Sequence, residues 1–335
     1  MELNMSARGL NLPDAKDIDA LSIQARKDFI DCTPLLGSRD EMDRFYEDNG
    51  YLFFRNALSQ SSVARARDEM LAIAADRFGL VKKGDATATW TGKALEGYSE
   101  DGSEFSGISR RLIEDPTNTA FLEQILGEPA SMVPLVQYRL YPPNGPVTVV
   151  HQDGFASPGI QGYRPVWTAL VDCPREVGGL AVAVGEHKRG FFHNVGKPTP
   201  FPIPEGVIDP DSWTTADFKA GDVLVVHPCS PHAGTPNTSK RLRVTLDTRV
   251  QSAKNPSAFS GTVKAVTPGS LTVEADDAAL GEITLSVSAD TFIRVRNPGV
   301  REDFAQFVHY TVPGMRLLAV RDGTHAVMLR CPTAP

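Results

Sequence analysis

The sequence predicts a mostly β protein with flanking helices, in which a large sheet-rich domain is followed by a small all-β one. Three observations carry this. Two helix starts with a strand between them stand near the front: Ser38-Arg-Asp-Glu41, and Ser59 or Ser61 ahead of a longer amphipathic run. From Val133 to Val250, short apolar or alternating runs recur between Gly and Pro breaks, as strands do. After about Ser252 the runs are punctuated by Pro268-Gly269 and Asp322-Gly323, which read as hairpin turns.

Taken in order, residues 1–37 form a polar arm with one weak helical stretch, about Ala15–Phe29. The arm is expected to pack on the core or on a neighbouring subunit. Ser38 and Glu41 make a capping box that opens a helix over Asp40–Asp48, closed by Asn49-Gly50. Tyr51-Leu-Phe-Phe-Arg-Asn is a short strand. A helix then runs to about Phe78, with Val63, Met70, Ile73 and Ala74 near one face. Residues 81–105 are rich in Gly, Thr, Ser, Asp and Lys, and their aromatics Trp90 and Tyr98 suit either a lid or plain packing. Two helices follow, about Ile108–Asp115 and Asn118–Leu126.

The sheet region begins with a strand over Val133–Leu140, which places Gln137, Arg139 and Tyr141 on one face. Pro142-Pro-Asn-Gly-Pro146 turns into a strand, Pro146–Val150, that feeds directly into His151-Gln-Asp153. Pro165–Asp172, Leu180–Val184 and Asp222–His227 read as further strands. The long stretch 186–215, stiffened by Pro198, Pro200, Pro202 and Pro204, is a second candidate lid. Residues 257–335 hold about five short strands and suggest a small barrel of OB or SH3-like kind. That barrel has no basic groove with interleaved aromatics, which speaks against nucleic acid. Self-association or bracing of the larger domain is its expected role.

Composition narrows the classes. A length of 335 residues accommodates one large and one small domain. A net charge of −7 disfavours nucleic acid or an anionic membrane as partner. Cys32, Cys173, Cys229 and Cys331 include no Cys-x-x-Cys pair, so neither a disulfide framework nor a zinc ribbon is expected. Reduced thiols fit a cytoplasmic protein. The first residues lack the apolar core of a signal peptide, and no run reaches the ~20 apolar residues of a membrane span.

The chemistry concentrates at His151-Gln-Asp153. In a strand, residues i and i+2 share a face, so His151 and Asp153 point together and Gln152 points away. A lone His-x-Asp is also compatible with a surface hydrogen bond or a capped turn. A second imidazole from another strand, His232 in His-Ala-Gly, would complete a 2-His-1-carboxylate set with open positions, diagnostic of non-haem Fe(II) oxygenases. His227 competes with His232 for that place; His187, His193, His309 and His325 have weaker contexts. Arg243 follows in the alternating segment Arg241–Val250, and a buried guanidinium suits a dicarboxylate co-substrate. Arg241, on the same side of that segment, is the fallback.

The run of motifs resembles the phytanoyl-CoA dioxygenase family of Fe(II)/2-oxoglutarate oxygenases. It comprises His151-x-Asp153, Val166-Trp167-Thr-Ala-Leu-Val-Asp172, Gly178-Gly179-Leu-Ala-Val-Ala-Val-Gly185-Glu-His187, Gly221-Asp222-Val-Leu, His232 and Arg243, and the likeness covers roughly 38–252. Val177-Gly-Gly and Val184-Gly-Glu-His depart from the commoner Asn-Gly-Gly and Pro-Gly-Ser-His, in turns away from the metal. The resemblance implies a double-stranded β-helix core of jelly-roll or cupin-like form. It implies Fe(II) on His151, Asp153 and His232, and 2-oxoglutarate on Arg243 with Gln137 and Trp167. O2 would be consumed, with release of succinate and CO2. Related halogenases carry Gly or Ala where Asp153 stands, so the retained carboxylate points to hydroxylation of an unactivated C–H bond, with desaturation, epoxidation or ring rearrangement as alternatives. Trp90, Tyr98, Arg139 and Arg164 are the candidate substrate contacts, for a medium-sized organic molecule. A metal- or ligand-binding protein without turnover is the reading from another class.

Overall fold

The computed structural model describes residues 23–99, 102–192, 203, 207–295, 301–302 and 311–331. The expected helix over 15–29 falls partly outside them. Its described end is extended: β1 (Lys27–Asp28) runs parallel to Thr214 and Thr215 at a sheet edge. An edge strand offers unpaired backbone groups, and the arm takes them up. Arg175 fastens it by donating to the Ala25 carbonyl and to Asp28.

α1 (Arg39–Asn49) buries Met42 and Tyr46. Ser38 stands at its N-cap without a side-chain cap bond, so the expected capping box does not form. Asp40 and Glu41 still favour the positive end of the helix. Gly50, at φ +77°, ends it, and a Cβ there would stand 2.4 Å from Ser230 Oγ. β2 (Tyr51–Phe54) follows, then α2 (Gln60–Asp76). Ser59 precedes α2, but its hydroxyl meets that of Ser61 rather than the backbone. α3 (Ile108–Ile113) and α4 (Pro116–Leu126) form the expected pair. The second starts earlier than expected because Asp115 accepts the Thr117 N–H and Pro116 takes the first helical position.

The remaining core elements are β3 (Ala130–Met132), β4 (Gln137–Tyr141), α5 (Asp153–Ala156), β5 (Arg164–Ala169), β6 (Leu180–Ala183), β7 (Trp213–Thr215), β8 (Val223–Val226), β9 (His232–Gly234) and β10 (Arg243–Ser252). Two sheets result. The larger runs β2-β8-β5-β10-β3, with β4 also on β10; the smaller runs β1-β7-β6-β9. From β5 onward the chain passes back and forth between them, the winding of a double-stranded β-helix.

The alternation of β10 explains how the core is divided. Val244, Leu246 and Val250 join the apolar cluster that includes Met42, Tyr46, Met70 and Phe121 of the helices. The intervening Arg243, Thr245, Asp247 and Arg249 therefore face the other way, into the space between the sheets. Pairing fixes them in rungs: Arg243 opposite Tyr141, Thr245 opposite Arg139 and Ala169, Asp247 opposite Gln137 and Trp167, and Arg249 opposite Pro165.

Beyond β10 lie β11 (Ala258–Thr267), β12 (Ser270–Ala275), β13 (Glu282–Ser286), β14 (Phe292–Val295), β15 (Arg301–Glu302), β16 (Arg316–Asp322) and β17 (His325–Cys331). Strands β13-β12-β11-β16-β17 pair in that order, and the parallel contact of Ser286 with His325 closes the ring. This is a five-stranded barrel with its own core, including Val263, Leu271, Leu285, Ile293 and Leu329. Of the two barrel types expected, the strand order is the OB one.

Candidate metal and co-substrate site

His151 and His232 face each other across an isolated bridge. His151 N–H donates to the His232 carbonyl at 3.0 Å, the reverse bond is 2.9 Å, and the ring centroids are 4.1 Å apart. Each Nδ1 lies against a carbonyl two residues back, Val149 at 2.8 Å and Ser230 at 3.0 Å. A carbonyl only accepts, so each Nδ1 carries a proton, which leaves Nε2 as the lone-pair nitrogen of the neutral ring, the form in which imidazole binds metal. Burial and the neighbouring His232 push the His151 pKa down to about 3, so the ring is neutral near pH 7.

Asp153 completes the group, and one ligand atom from each of the three residues lies within 4.8 Å of the others. The route differs from the expected strand. The chain leaves the sheet after His151, and Asp153 is the first residue of α5, where Gly154 N–H donates to the Pro228 carbonyl at 2.8 Å. A turn, not a pleat, brings the carboxylate beside the rings. Gln152 does point away. Its amide donates to the Gly190 and Cys229 carbonyls and accepts from Phe192 N–H, locking the loop between two ligands.

Burial opposes ionisation of Asp153, but the Arg249 guanidinium and both imidazoles outweigh it and hold the carboxyl well below the usual range. Arg249 Nη2 donates to Asp153 Oδ1 at 2.8 Å. On the next rung Arg139 Nε donates to Asp247 Oδ2 at 2.8 Å, and Arg139 also reaches Gln137 and Tyr141. Gln137, Arg139, Trp167 and Asp247 line one cavity with His151, Asp153 and His232.

Arg243 lies farther along the same face of β10, 2 % exposed. Its Nη1 donates to the Gly179 and Thr235 carbonyls, and its guanidinium carbon is 4.3 Å from the centre of the Tyr141 ring. Nε is buried with no partner, and among the described residues no carboxylate lies within ion-pair distance of it. Gly234, two residues past His232, gives it room: a Cβ there would stand 3.1 Å from Nη2. A buried guanidinium with an idle donor fits a carboxylate guest, and two imidazoles that turn Nδ1 to carbonyls and leave Nε2 free for a metal, beside a carboxylate, fit a divalent iron.

Other expected residues lie elsewhere. Arg241 donates to the carbonyls of Thr87 and Asp172, because β10 begins only at Arg243 and the preceding residue pairs differently. Arg164 stacks over the Tyr46 ring at 4.2 Å, on the helix side of the larger sheet. Tyr98 packs on Phe78 and Phe105, with its hydroxyl bonded to the Tyr138 carbonyl. Trp90 Nε1 donates to the Lys93 carbonyl, and its backbone joins Lys240. None of these three lines the cavity: Trp90 and Tyr98 hold their loop down, and Arg164 faces the helix side of its sheet. His227 packs on Tyr46 and His187, away from the ligand group. His193 and the prolines from Pro198 to Pro204 lie outside the described residues, as does His309. Sequence reasoning missed Asp247 and Arg249. The alternation used to place Arg243 put both on its face.

A model of the phytanoyl-CoA dioxygenase family matches residues 46–245. The 1-deoxypentalenic acid 11-beta-hydroxylase of Streptomyces exfoliatus is 30% identical over 264 residues, covering 70% of this chain and 88% of the relative. The enzyme of the same name from Streptomyces arenae is also 30% identical, over 261 residues with the same coverage. The structure of the epimerase SnoN in complex with Fe3+, alpha ketoglutarate and nogalamycin RO covers 65% of this chain and 84% of its own, with 22% identity and a TM-score of 0.49. On the family match and the hydroxylase relatives, the chain belongs to the phytanoyl-CoA dioxygenase family.

Proposed function

We propose that this protein is an Fe(II)/2-oxoglutarate-dependent dioxygenase that hydroxylates an unactivated C–H bond of a small organic molecule. The observation that carries it is the convergence of His151, Asp153 and His232, with Arg243 buried on the same face of β10 as Asp247, which lines their cavity. In this reading the three converging side chains hold the iron, and Arg243 takes the far carboxylate of 2-oxoglutarate. Gln137 and Trp167 line the cavity beside the three ligands. When bound, iron, 2-oxoglutarate and O2 supply the power to break a C–H bond, the co-substrate ending as succinate and CO2. The protein's own part is binding and exclusion. Gln152 fixes the ligand loop, Val149 and Ser230 orient the imidazoles, and the apolar wall of Trp167, Leu180 and Val226 keeps bulk water from the reacting centre.

The relatives' names support hydroxylation as the reaction class. We infer a natural-product-like substrate of similar size on that ground. A cytoplasmic location is supported by Cys32, Cys173 and Cys229, all buried free thiols. No helix among the described residues is long and apolar enough to cross a membrane. The test is succinate formation from 2-oxoglutarate by Fe(II)-loaded protein under O2. His151→Ala should abolish it. Wild-type protein that binds neither Fe(II) nor 2-oxoglutarate would sink the reading.

A further inference from the structure

Asp153 sits on a helix of one turn, beside a glycine, at the start of a loop. Its backbone is poorly placed to fix its own side chain. Among the described residues its carboxylate nevertheless has one hydrogen-bond partner, Arg249, whose Nη2 stands 2.8 Å from Oδ1. Arg249 is itself 4 % exposed and held from a second side, because Nη1 donates to the Leu135 carbonyl at 3.0 Å. The same stretch is tied to the Arg249 backbone, since Val133 N–H donates to the Arg249 carbonyl at 2.8 Å. The guanidinium is thus anchored to the chain following β3, and it presents a fixed donor to the carboxylate. The acid on β10, Asp247, is paired with Arg139 and does not compete at hydrogen-bond distance.

The oxygen that Arg249 holds is also the one facing the rings, 4.0 Å from His151 Nε2. A carboxylate oxygen has lone pairs on two sides. One is occupied by Arg249, and the other points toward the imidazoles.

We propose that Arg249 is the positioning residue for the metal carboxylate, holding Asp153 in one orientation so that a single oxygen enters coordination. The inference rests on the reading of His151, Asp153 and His232 as a metal site. A one-oxygen carboxylate leaves more of the metal's positions for co-substrate and O2 than a two-oxygen one. It also explains why a cation is buried beside a site meant for a cation, an arrangement that Coulomb repulsion alone disfavours.

The test uses Co(II), whose visible absorption reports the number and geometry of its ligands, added to the whole metal-free protein. Arg249→Met should weaken Co(II) binding by about 10- to 100-fold, the usual effect of removing a group that orients a ligand. It should also change the absorption spectrum. Arg249→Lys, which keeps one charged donor, should recover part of the affinity and move the spectrum back toward wild type. A merely structural arginine would lower the melting temperature and leave the Co(II) spectrum of the folded protein alone. Wild-type affinity and spectrum in folded Arg249→Met would overturn the proposal. Tighter binding would do so too, since Arg249 would then act only by repulsion. If Arg249→Met does not fold, Arg249→Lys decides: an unchanged spectrum and affinity there count against positioning. Failure of wild type to bind Co(II) would instead sink the metal site itself.

Discussion

Arg243→Met removes the guanidinium while keeping much of its length. The loss inside the protein is modest. Gly179 O still accepts the Thr235 N–H at 3.0 Å, so only the Thr235 carbonyl loses a partner, at about 1–2 kcal/mol. The loss to a bound 2-oxoglutarate is larger. Arg243 is 2 % exposed, so solvent screens little, and its Nε has no other acceptor among the described residues. Stranding a carboxylate in a buried site without its cation costs about 3–5 kcal/mol. The metal-binding end of the co-substrate is untouched, which favours the lower half of that range. The expected rise in the dissociation constant for 2-oxoglutarate is therefore roughly 100- to 1000-fold. Anaerobic titration of Fe(II)-loaded protein, followed by the visible charge-transfer band of the bound keto acid, measures it directly. KM for 2-oxoglutarate should rise with little change in kcat at saturation, because the interaction is made equally in ground and transition states. A dissociation constant within about threefold of wild type would refute the assignment and send the far carboxylate elsewhere.

Three further outcomes are expected. Asp153→Ala should leave Arg249 facing a gap, so millimolar formate should restore part of the Co(II) binding; formate acting equally in Asp153→Ala/Arg249→Met would sink this. His227, pushed down to about 3 by burial and then by His187 and Arg164, is protonated in the unfolded chain first. Its folded pKa is below the unfolded one, so its contribution is complete above about pH 6.5 and declines as pH falls toward 3, by about 1.4 kcal/mol per pH unit. His151, also pushed down to about 3, adds a similar slope over the same window, so urea unfolding of metal-free protein at pH 7 and 5 should show the two together, and His227→Asn should remove one share; equal slopes in wild type and variant would count against it. Gly159, at φ +80°, is so close to the barrel that a Cβ would stand 2.4 Å from Val327 Cγ1. Gly159→Val should cost about 2–5 kcal/mol through backbone strain and overpacking, with partial relief from Val327→Ala, read by thermal denaturation. No change in melting temperature would show that the joint between barrel and ligand loop yields freely.

How much was legible depended on whether a residue's role is written locally. The alternation of Arg243–Val250 is local, and it correctly divides a helix-facing from an interior face. The Asp-Gly turn at Asp322-Gly323 is local as well, and the hairpin it predicts is there. The period turns Gln152 away from His151 and Asp153, and its side chain does lie on the other side, buried against Gly190, Cys229 and Phe192. Trp90, Tyr98 and Arg164 show the limit. An aromatic in a polar loop has the same composition whether it covers a ligand or nails the loop down, and only the position of Phe78, Phe105 and Tyr138 decides. The strand read through Asp153 failed for another reason. The i and i+2 rule gives two side chains on one side, but so does a strand that ends in a helical turn, and sequence cannot tell which.

Arg249 marks the deeper gap. Its pairing with Asp153 joins residues 96 apart in sequence. It depends on β10 pairing with β5 in the register that sets Arg249 opposite Pro165, so a one-residue slip would turn it to the helices. β10 therefore acts as a single device. One strand face carries the guanidinium assigned to the co-substrate, an acid that neutralises Arg139, and the guanidinium that holds Asp153. The register of that strand, set by apolar residues on its opposite face, fixes all three at once. Substitutions at Val244 or Leu246 that shift the strand should then disturb co-substrate and metal binding together, although neither residue faces the cavity.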